Sequence, residues 1–365
     1  MIRLDRVVGT GLIKYCLTWC GFGFDMTVAG PGFSNENLWE YYNIPFLKLH
    51  GDTPANFLDR HLDCPKTSVN MYGFEEHYEF NKVVAPDGKI ISTVQKPYIL
   101  YDFAEEGLDD SIRLKGKLFF PKNGPDVGEL EAHWRNELAP ELGRQLRELS
   151  MEVLAVGLEV GPLKLHELVL SYLAAQKIDL KGNRKLLSFY VAHMDQWLRR
   201  MKTAIVGEAL LSFPVLIMGS GWGFLDSAKA VATIGPALDH AGTEELYRTQ
   251  LGVIDHGPNT DTMGHDRMTR AAGAHAFALT NRTTWLEGLC PDLNEVGFTF
   301  SREAIQESVH VALKDPERCL ALGRSYGRAF RAAYPPAQLV QQLASLAEMV
   351  RKTDSVPGCG SVPFW

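Results

Sequence analysis

The sequence predicts a mixed α/β protein built from two units, each with a parallel sheet and crossover helices. Short apolar runs alternate with helical patterns over the first hundred residues, and the same alternation returns from Phe213 onward. Between these regions, residues 129–211 have an almost continuous helical pattern. Alternation of strands and helices is typical of parallel sheets, and 365 residues exceed one ordinary core. We therefore expect domains at residues 1–112 and 113–350, with a helical insertion at 129–211 and a tail at 351–365.

In the N-terminal domain, the patterns predict one helix ahead of the first strand, followed by alternating strands and helices. The expected helices cover residues 4–15, 37–42 and 54–63, and the expected strands cover residues 24–30, 45–49, 67–72 and 98–101. Thr53 suits the N-cap position of the third helix, because Pro54 follows in its first turn. Such a domain usually begins with a strand, so the leading helix suggests that it is abbreviated.

In the second domain, one strand precedes the helical insertion and four follow it. The expected strands cover residues 117–121, 214–218, 231–234, 253–256 and 276–279, and helices are expected at 243–250 and 265–272. Residues 301–350 have an amphipathic helical pattern that places Ile305 and Val309 inside. Because ligands of open α/β sheets bind beyond the carboxyl ends of the strands, the loops after these strands are the places to search for a site.

Composition and charge exclude several classes of protein. Hydrophobic residues make up 45% of the chain and charged residues 22%, as in soluble globular proteins. A formal net charge of −7 provides no global basic field for nucleic acid, although clustered arginines could still bind a small anion. No run approaches the ~20 apolar residues of a membrane helix, and there is no secretory cleavage pattern.

The cysteines are sparse and contain no C-x-x-C pair, which argues against a structural zinc site and indicates reduced thiols. They are Cys16, Cys20, Cys64, Cys290, Cys319 and Cys359. No D-x-D pair occurs in an evident metal context, so we expect neither catalytic Mg²⁺ nor Mn²⁺, and no bound cofactor. Together these features predict a cytoplasmic protein.

A glycine-rich turn, Gly219-Ser220-Gly221-Trp222-Gly223, follows a buried strand. Glycines there would let backbone N–H groups approach a phosphate, but the G-x-G-x-x-G spacing is incomplete, and a tight structural turn is the ordinary explanation. Asp239 lies about twenty residues further on, where dinucleotide-binding domains carry a ribose-binding acid. An oxidoreductase that uses NAD(P) therefore stays open as an alternative.

The segment from His265 to Ala274 is more informative. It places His265, Arg267 and Arg270 in the first turns of a helix, where positive charge is unfavourable unless an anion offsets it. Arginine binds phosphate through two parallel hydrogen bonds, and a helix N-terminus adds free N–H donors. These three residues are predicted to bind a diphosphate; the alternative is a salt bridge to a neighbouring carboxylate.

Two further polar segments are candidates. Thr280 and Asn281 follow a strand and could hold sugar hydroxyls or phosphate oxygens, or could form a capped turn before a helix. A general base would come from the N-terminal domain. Asp52 is the first choice because it follows a strand, although a capping role before Pro54 is the alternative, and His50 and His77 are the next choices.

From Lys117 to about Val350, the chain resembles the CgeB-like (spore-maturation-protein-like) glycosyltransferases. The resemblance is carried by the strand and loop at 118–123, by Gly219-Ser220-Gly221-Trp222, by Glu244-Glu245-Leu246-Tyr247 leading into Val253-Ile254-Asp255, and by the segment 265–279. Residues 43–45 and 51–54 of the N-terminal part are also similar. At the position of Arg270, family members often have an acidic residue.

The resemblance implies a GT-B fold, in which two Rossmann-type domains face each other across a cleft. It also implies transfer of a sugar from a nucleotide-sugar to an acceptor that is a small molecule, a glycan or a protein. Carried over by position, Gly219, Ser220 and Gly221 would line the nucleotide, while His265, Arg267 and Arg270 would approach the diphosphate. Arg270 and the unusual N-terminus leave a third alternative open, a catalytically inactive binding protein with the same fold.

Overall fold

The computed structural model describes residues 4–28, 36–86, 90–99, 101–158, 165–178, 180 and 183–353. The chain divides into two compact units. The first consists of Met1–Pro97, Lys177–Ala192 and Pro336–Trp365, and the second of Tyr98–Gln176 and His193–Pro335. Each unit contains one sheet of parallel strands, so the predicted mixed α/β class with two Rossmann-like sheets is confirmed.

The strands, in chain order, are β1 Cys16–Trp19, β2 Phe46–His50, β3 Ser68–Tyr72, β4 Ile91–Val94, β5 Leu118–Pro121, β6 Leu216–Met218, β7 Thr233–Gly235, β8 Gly252–Ile254 and β9 Phe277–Leu279. The helices are α1 Leu4–Val8, α2 Leu38–Tyr41, α3 Asp59–Leu62, α4 Glu75–Val84, α5 Asp110–Arg113, α6 Val127–Asn136, α7 Pro140–Val156, α8 Leu165–Ala175, α9 Arg184–Leu210, α10 His240–Thr249, α11 Asp266–Gly273, α12 Thr284–Leu289, α13 Pro291–Glu295, α14 Arg302–Lys314, α15 Pro316–Ala333 and α16 Pro336–Thr353. Short 3-10 helices occupy Pro54–Phe57, Glu105–Gly107 and Trp222–Phe224.

The sheet of the first unit has the strand order β1-β2-β3-β4, and its two faces differ in chemistry. One face carries the apolar side chains of β2 and β3, which pack against α16; this cluster contains Leu47, Leu49, Val69, Met71, Leu343, Leu346, Ala347 and Val350. Alternate residues point to the other face, and there Lys48, His50, Asn70 and Tyr72 are all buried. Sequence alternation along β2 therefore separates an apolar face from a buried polar one.

Two strand predictions for the first unit are wrong. The strand expected at 24–30 is absent from its described part, residues 24–28; the first strand is β1, within the region between the predicted helix and that strand. β1 is an edge strand whose side chains alternate between half-buried and exposed, so it lacks the apolar run that the prediction relied on. Likewise, the described residues of the range 98–101 form no strand. The fourth strand of this sheet is β4, at Ile91–Val94.

The boundary expected at residue 112 also differs from the structure. Tyr101 is buried in the core of the second unit, and Phe103 N donates to the carbonyl of Gly273, so this segment already belongs to that unit. Conversely, α16 packs on the first sheet although the sequence placed it in the second domain. An amphipathic pattern shows that a helix has an apolar face but does not identify the sheet that covers it.

The second sheet has the strand order β7-β6-β5-β8-β9 and is parallel throughout. Where it is described, the region predicted to be helical, residues 129–211, contains α6 to α9, but residues 177–192 belong to the first unit and not to the second as predicted. Its tryptophans are buried with their indole N–H groups satisfied: Trp134 donates to His193 Nδ1 at 2.9 Å, and Trp197 donates to Glu131 Oε1 at 3.0 Å. α9 begins in the first unit and continues into the second.

A buried arginine joins the helices around this sheet. Arg113 is 1% exposed, and its guanidinium donates to carbonyls at the ends of α10 and α11. The acceptors are the backbone oxygens of Tyr247, Arg248, Ala274 and His275, at 2.7 to 3.2 Å. These contacts hold in place the two helices that flank the cavity described below.

No helix in the described ranges is both long enough and apolar enough to cross a bilayer. The cysteines within those ranges, Cys16, Cys20, Cys64, Cys290 and Cys319, are free thiols. Cys359 and the rest of the predicted tail after Thr353 lie outside the described residues.

Candidate functional site

A cavity of about 260 Å³ lies in the second unit, at the carboxyl ends of β5, β6 and β7. α10 and the N-terminal end of α11 complete its wall. The polar residues of its lining include Lys122, Asn123, Thr243, Asp266, Arg267 and Arg270. This is the edge at which open parallel sheets bind ligands.

Arg267 lines this cavity and is held by contacts from two neighbouring strands. Its Nε donates to the carbonyl of Pro121 at 3.0 Å, and its Nη1 donates to Oδ1 of Asp255 at 3.2 Å. Asp255 directly follows β8 and is fully buried. Although burial opposes the positive charge, Asp255 and Asp266 raise the pKa of Arg267. The guanidinium is therefore a fixed cation in the cavity wall.

Asp266 begins α11 and joins the other two predicted anion-binding residues. Its Oδ2 lies 3.1 Å from Nη2 of Arg270, and its Oδ1 lies 2.6 Å from Nδ1 of His265. Nη1 of Arg270 donates to the hydroxyl of Tyr101 at 3.0 Å. Burial alone would raise the pKa of Asp266, but the charges of His265, Arg267 and Arg270 outweigh it and hold that pKa well below its ordinary value.

Both arginines thus form the salt bridges that the sequence left open as an alternative to anion binding. They line the cavity nevertheless. Among the charged residues described in its lining, the guanidinium groups of Arg267 and Arg270 are accompanied by one carboxylate, that of Asp266, and by the amine of Lys122. In the lining the two guanidinium groups outnumber the carboxylate, and the acids fix the orientation of the arginines.

Lys122 is a lining residue that the sequence analysis did not select. It follows β5, the central strand, and its Nζ lies 3.2 Å from Nδ1 of His256. Burial, and then the charge of Arg267, lowers the pKa of Lys122 well below its ordinary value. The rule that pointed to the loops after the other strands applies equally to the loop after β5, and it would have found this residue.

The glycine turn contacts the loop after β5 and does not line the cavity. Gly219 N donates to the carbonyl of Gly235, and Ser220 N donates to the side chain of Asn123. A Cβ on Gly219 would lie 2.2 Å from the carbonyl oxygen of Lys122, and Gly221 has a φ of +82°. Close packing and a left-handed backbone explain both glycines, as the structural alternative supposed.

Asp239 is likewise used within the protein. It is the N-cap of α10, and its Oδ1 accepts a hydrogen bond from Gly242 N at 2.7 Å. If the Asp239 carboxylate bound a ribose hydroxyl, that contact would compete with the hydrogen bond that caps α10.

Thr280 and Asn281 connect neighbouring loops and are not part of the cavity lining. The carbonyl of Thr280 accepts from Phe298 N at 3.1 Å, and Oδ1 of Asn281 accepts from Gly257 N at 3.0 Å. Thr283 caps α12 by accepting from Leu286 N. The contacts here are those of the capped turn that the sequence offered as the alternative.

The candidate bases lie in the first unit. Asp52 follows β2 and is half-buried, and the capping role considered for it belongs to Thr53, whose side chain accepts from Ala55 N. His50 is 2% exposed, and its Nε2 lies 3.0 Å from Oδ1 of Asn70. Burial, aided by the charge of Lys48, lowers the pKa of His50 to about 3. His77 is buried in α4.

Within the described residues, no three side chains of His, Cys, Asp or Glu converge in a way that could hold a metal ion. The sequence matches no protein-family model and no curated protein, and the structure matches no solved structure, at a significant level. Function must therefore be inferred from the chemistry of the cavity.

Proposed function

We propose that the second unit binds the diphosphate of a nucleotide-activated sugar and that the protein is a cytoplasmic glycosyltransferase of GT-B organisation. The observation that supports this most directly is Arg267, a fixed guanidinium in a cavity at the carboxyl edge of a parallel sheet. Its Nε and Nη1 are engaged by the protein, whereas Nη2 has no hydrogen-bond partner among the described residues. Those N–H groups are available to a phosphate oxygen.

The charge balance favours an anionic ligand over a neutral one. The guanidinium groups of Arg267 and Arg270 outnumber the carboxylate of Asp266 in the lining, and these partly buried cations attract a counter-charge. A diphosphate supplies that counter-charge and fits the bidentate geometry of arginine. During transfer, the same cations would stabilise the charge that develops on the departing diphosphate.

The contacts of the glycine turn count against a dinucleotide-dependent oxidoreductase, and equally against the nucleotide contacts expected of Gly219, Ser220 and Gly221 in a glycosyltransferase, so the proposal rests on the arginines. Two of the backbone N–H groups that would bind a pyrophosphate in that case already donate within the protein, from Gly219 and Ser220. Asp239, the candidate for the ribose contact, caps α10.

An inactive binding protein with the same fold would also show the salt bridges of the arginines. Binding and turnover therefore need separate tests.

Binding is tested by calorimetric titration with UDP, GDP, their sugar conjugates and NADH, using the intact protein and its Arg270→Ala variant. We expect a nucleoside diphosphate to bind and the variant to bind at least tenfold more weakly, about 1.4 kcal/mol, because one cation of the wall is lost. Arg135→Ala removes an exposed arginine from α6 and serves as the control. Preferential binding of NADH, or equal affinity in Arg270→Ala, would contradict the proposal.

Turnover is tested by release of nucleoside diphosphate from the sugar conjugate that binds. If the reaction inverts configuration, Asp52 is the candidate base that we retain, since the His50 imidazole is buried and holds its ring nitrogen against Asn70. Asp52→Asn should then lower the rate of release without weakening donor binding. Binding without release by the intact protein would favour the inactive alternative.

A further inference from the structure

Lys122 occupies the centre of the sheet edge that bears the cavity. It follows β5, which lies between β6 and β8, and it is one of the residues that line the cavity. Its ammonium group forms no ion pair with a carboxylate within the described part of the chain. The nearby acid, Asp255, pairs with Arg267 instead.

A chain of hydrogen bonds orients the lysine from behind. The hydroxyl of Thr203 donates its only hydrogen to the carbonyl of Arg199 at 2.7 Å, so it must accept from Nε2 of His256, 2.8 Å away. His256 is fully buried, and its Nδ1 lies 3.2 Å from Nζ of Lys122 and 3.1 Å from the carbonyl oxygen of Gly257. With the ring proton on Nε2, Nδ1 carries the lone pair that Nζ can donate to. The carbonyl of His256 lies 3.4 Å from the same Nζ.

The charges around Lys122 are mainly positive. The positive charges belong to Arg267 of α11 and to Arg199 and Lys202 of α9. Asp255 contributes a negative charge, and the imidazole of His256 is the titratable ring next to Lys122. Burial and the neighbouring cations together favour loss of the lysine proton. An anion in the cavity would supply the missing counter-charge and reverse that preference.

We infer that Lys122, positioned by His256 and Thr203, is a third cationic contact for the phosphate groups of the ligand and takes up a proton when the ligand binds. This inference rests on the proposed function and narrows its ligand to one with at least two negative charges. Because the ligand prefers the protonated lysine, affinity should fall as the pH rises through the range in which the free protein loses that proton.

Proton uptake is measured by titrating the intact protein with UDP at pH 8 in two buffers of different ionisation enthalpy. At this pH the terminal phosphate, whose pKa is ~6, is already deprotonated and contributes little. We expect net proton uptake with UDP and none with uridine, which lacks the phosphates. Lys122→Met should bind at least tenfold more weakly and without uptake, whereas Lys115→Met, which alters an exposed lysine, should match the parent protein.

Two further variants separate charge from structure. Lys122→Arg keeps a permanent cation, so it should bind UDP without proton uptake even if Lys122→Met fails to fold. His256→Asn removes the ring nitrogen beside Nζ, while the backbone carbonyl at this position stays, and it should change the pH profile of binding and the extent of uptake. UDP binding that needs Arg270 but shows no uptake, with Lys122→Arg like the parent, would overturn this inference and leave the proposed function intact. Failure of the parent protein to bind any nucleoside diphosphate would overturn both.

Discussion

At the scale of single residues, the first unit is notable for the polar side chains it buries. His50 and His61 lie with ring centroids 4.1 Å apart, and Nδ1 of His61 is 2.7 Å from the hydroxyl of Tyr72. Lys48 is fully buried and donates to the carbonyl of Arg60 at 2.9 Å. A second positive charge in this layer is unfavourable, because burial and the charge of Lys48 both act against a protonated imidazole.

This layer predicts a loss of stability in acid. The unfolded chain protonates a histidine near pH 6.5, whereas the pKa of His50 is lowered to about 3 in the folded protein. Between these values the unfolded state binds more protons, so the free energy of unfolding should fall as the pH drops below 6.5, by about 1.4 kcal/mol per pH unit for this group. Urea unfolding at pH 7 and pH 5 measures the change.

His50→Gln removes the titrating group but keeps an N–H donor for Asn70, so its stability should depend less on pH between 7 and 5. His310→Gln alters an exposed histidine of α14 and should retain the full dependence. An unchanged slope in His50→Gln would contradict the account of the buried layer.

At the scale of elements, close approach between α15 and the turn before β9 shapes the second unit. Ile305 and Val309 are buried as the amphipathic pattern predicted, but the single pattern over 301–350 consists of three helices, α14, α15 and α16. Pro316 and Pro336 begin the second and third of them. In α15, a Cβ on Gly323 would lie 2.5 Å from Phe277 N and 2.6 Å from the carbonyl carbon of Ala276. These are backbone atoms of the sheet and cannot move aside.

Gly323→Ala should therefore lower the free energy of unfolding by about 1–3 kcal/mol, the usual cost of overpacking, although alanine is the better helix former. Gly288→Ala is the matched control, because Gly288 lies exposed in α12 with nothing within 4 Å of the added Cβ. That variant should be more stable by about 0.4–1 kcal/mol. Thermal unfolding of both variants compares the two effects, and a stabilised Gly323→Ala would mean that α15 packs less closely than described.

At the scale of the whole molecule, each unit has its own apolar core. The core of the second unit surrounds its sheet and includes Phe119, Val253 and Phe277, all nearly or fully buried. In the first unit, α16 covers one face of the sheet through Leu346 and its neighbours. The last helix described therefore stabilises the first strands of the chain.

Leu346→Ala should destabilise the first unit by about 2–5 kcal/mol, the range for a large-to-small change in a core. We expect faster hydrogen exchange in the amides of β2 and β3, measured by mass spectrometry, with little change in β5 and β8. Val340→Ala, which alters an exposed residue of the same helix, should leave all four strands unaffected. Faster exchange confined to the second unit would contradict the assignment of α16.

The sequence by itself determined the class of fold, most strands and the helical insertion, because these depend on local apolar periodicity and on residues such as Thr53 and Pro54 that begin helices. It also placed Arg267 in the first turn of a helix, whereas Arg270, expected there too, lies in the last turn of α11, where a positive charge is favourable. Only the tertiary structure decided that α16 covers the first sheet, that Gly219 and Asn281 serve packing and turns, and that Lys122 joins the arginines in one cavity. Those outcomes depend on which distant segments meet, and the spacing of residues along a chain does not encode the partner of an apolar face or the counter-ion of a charge.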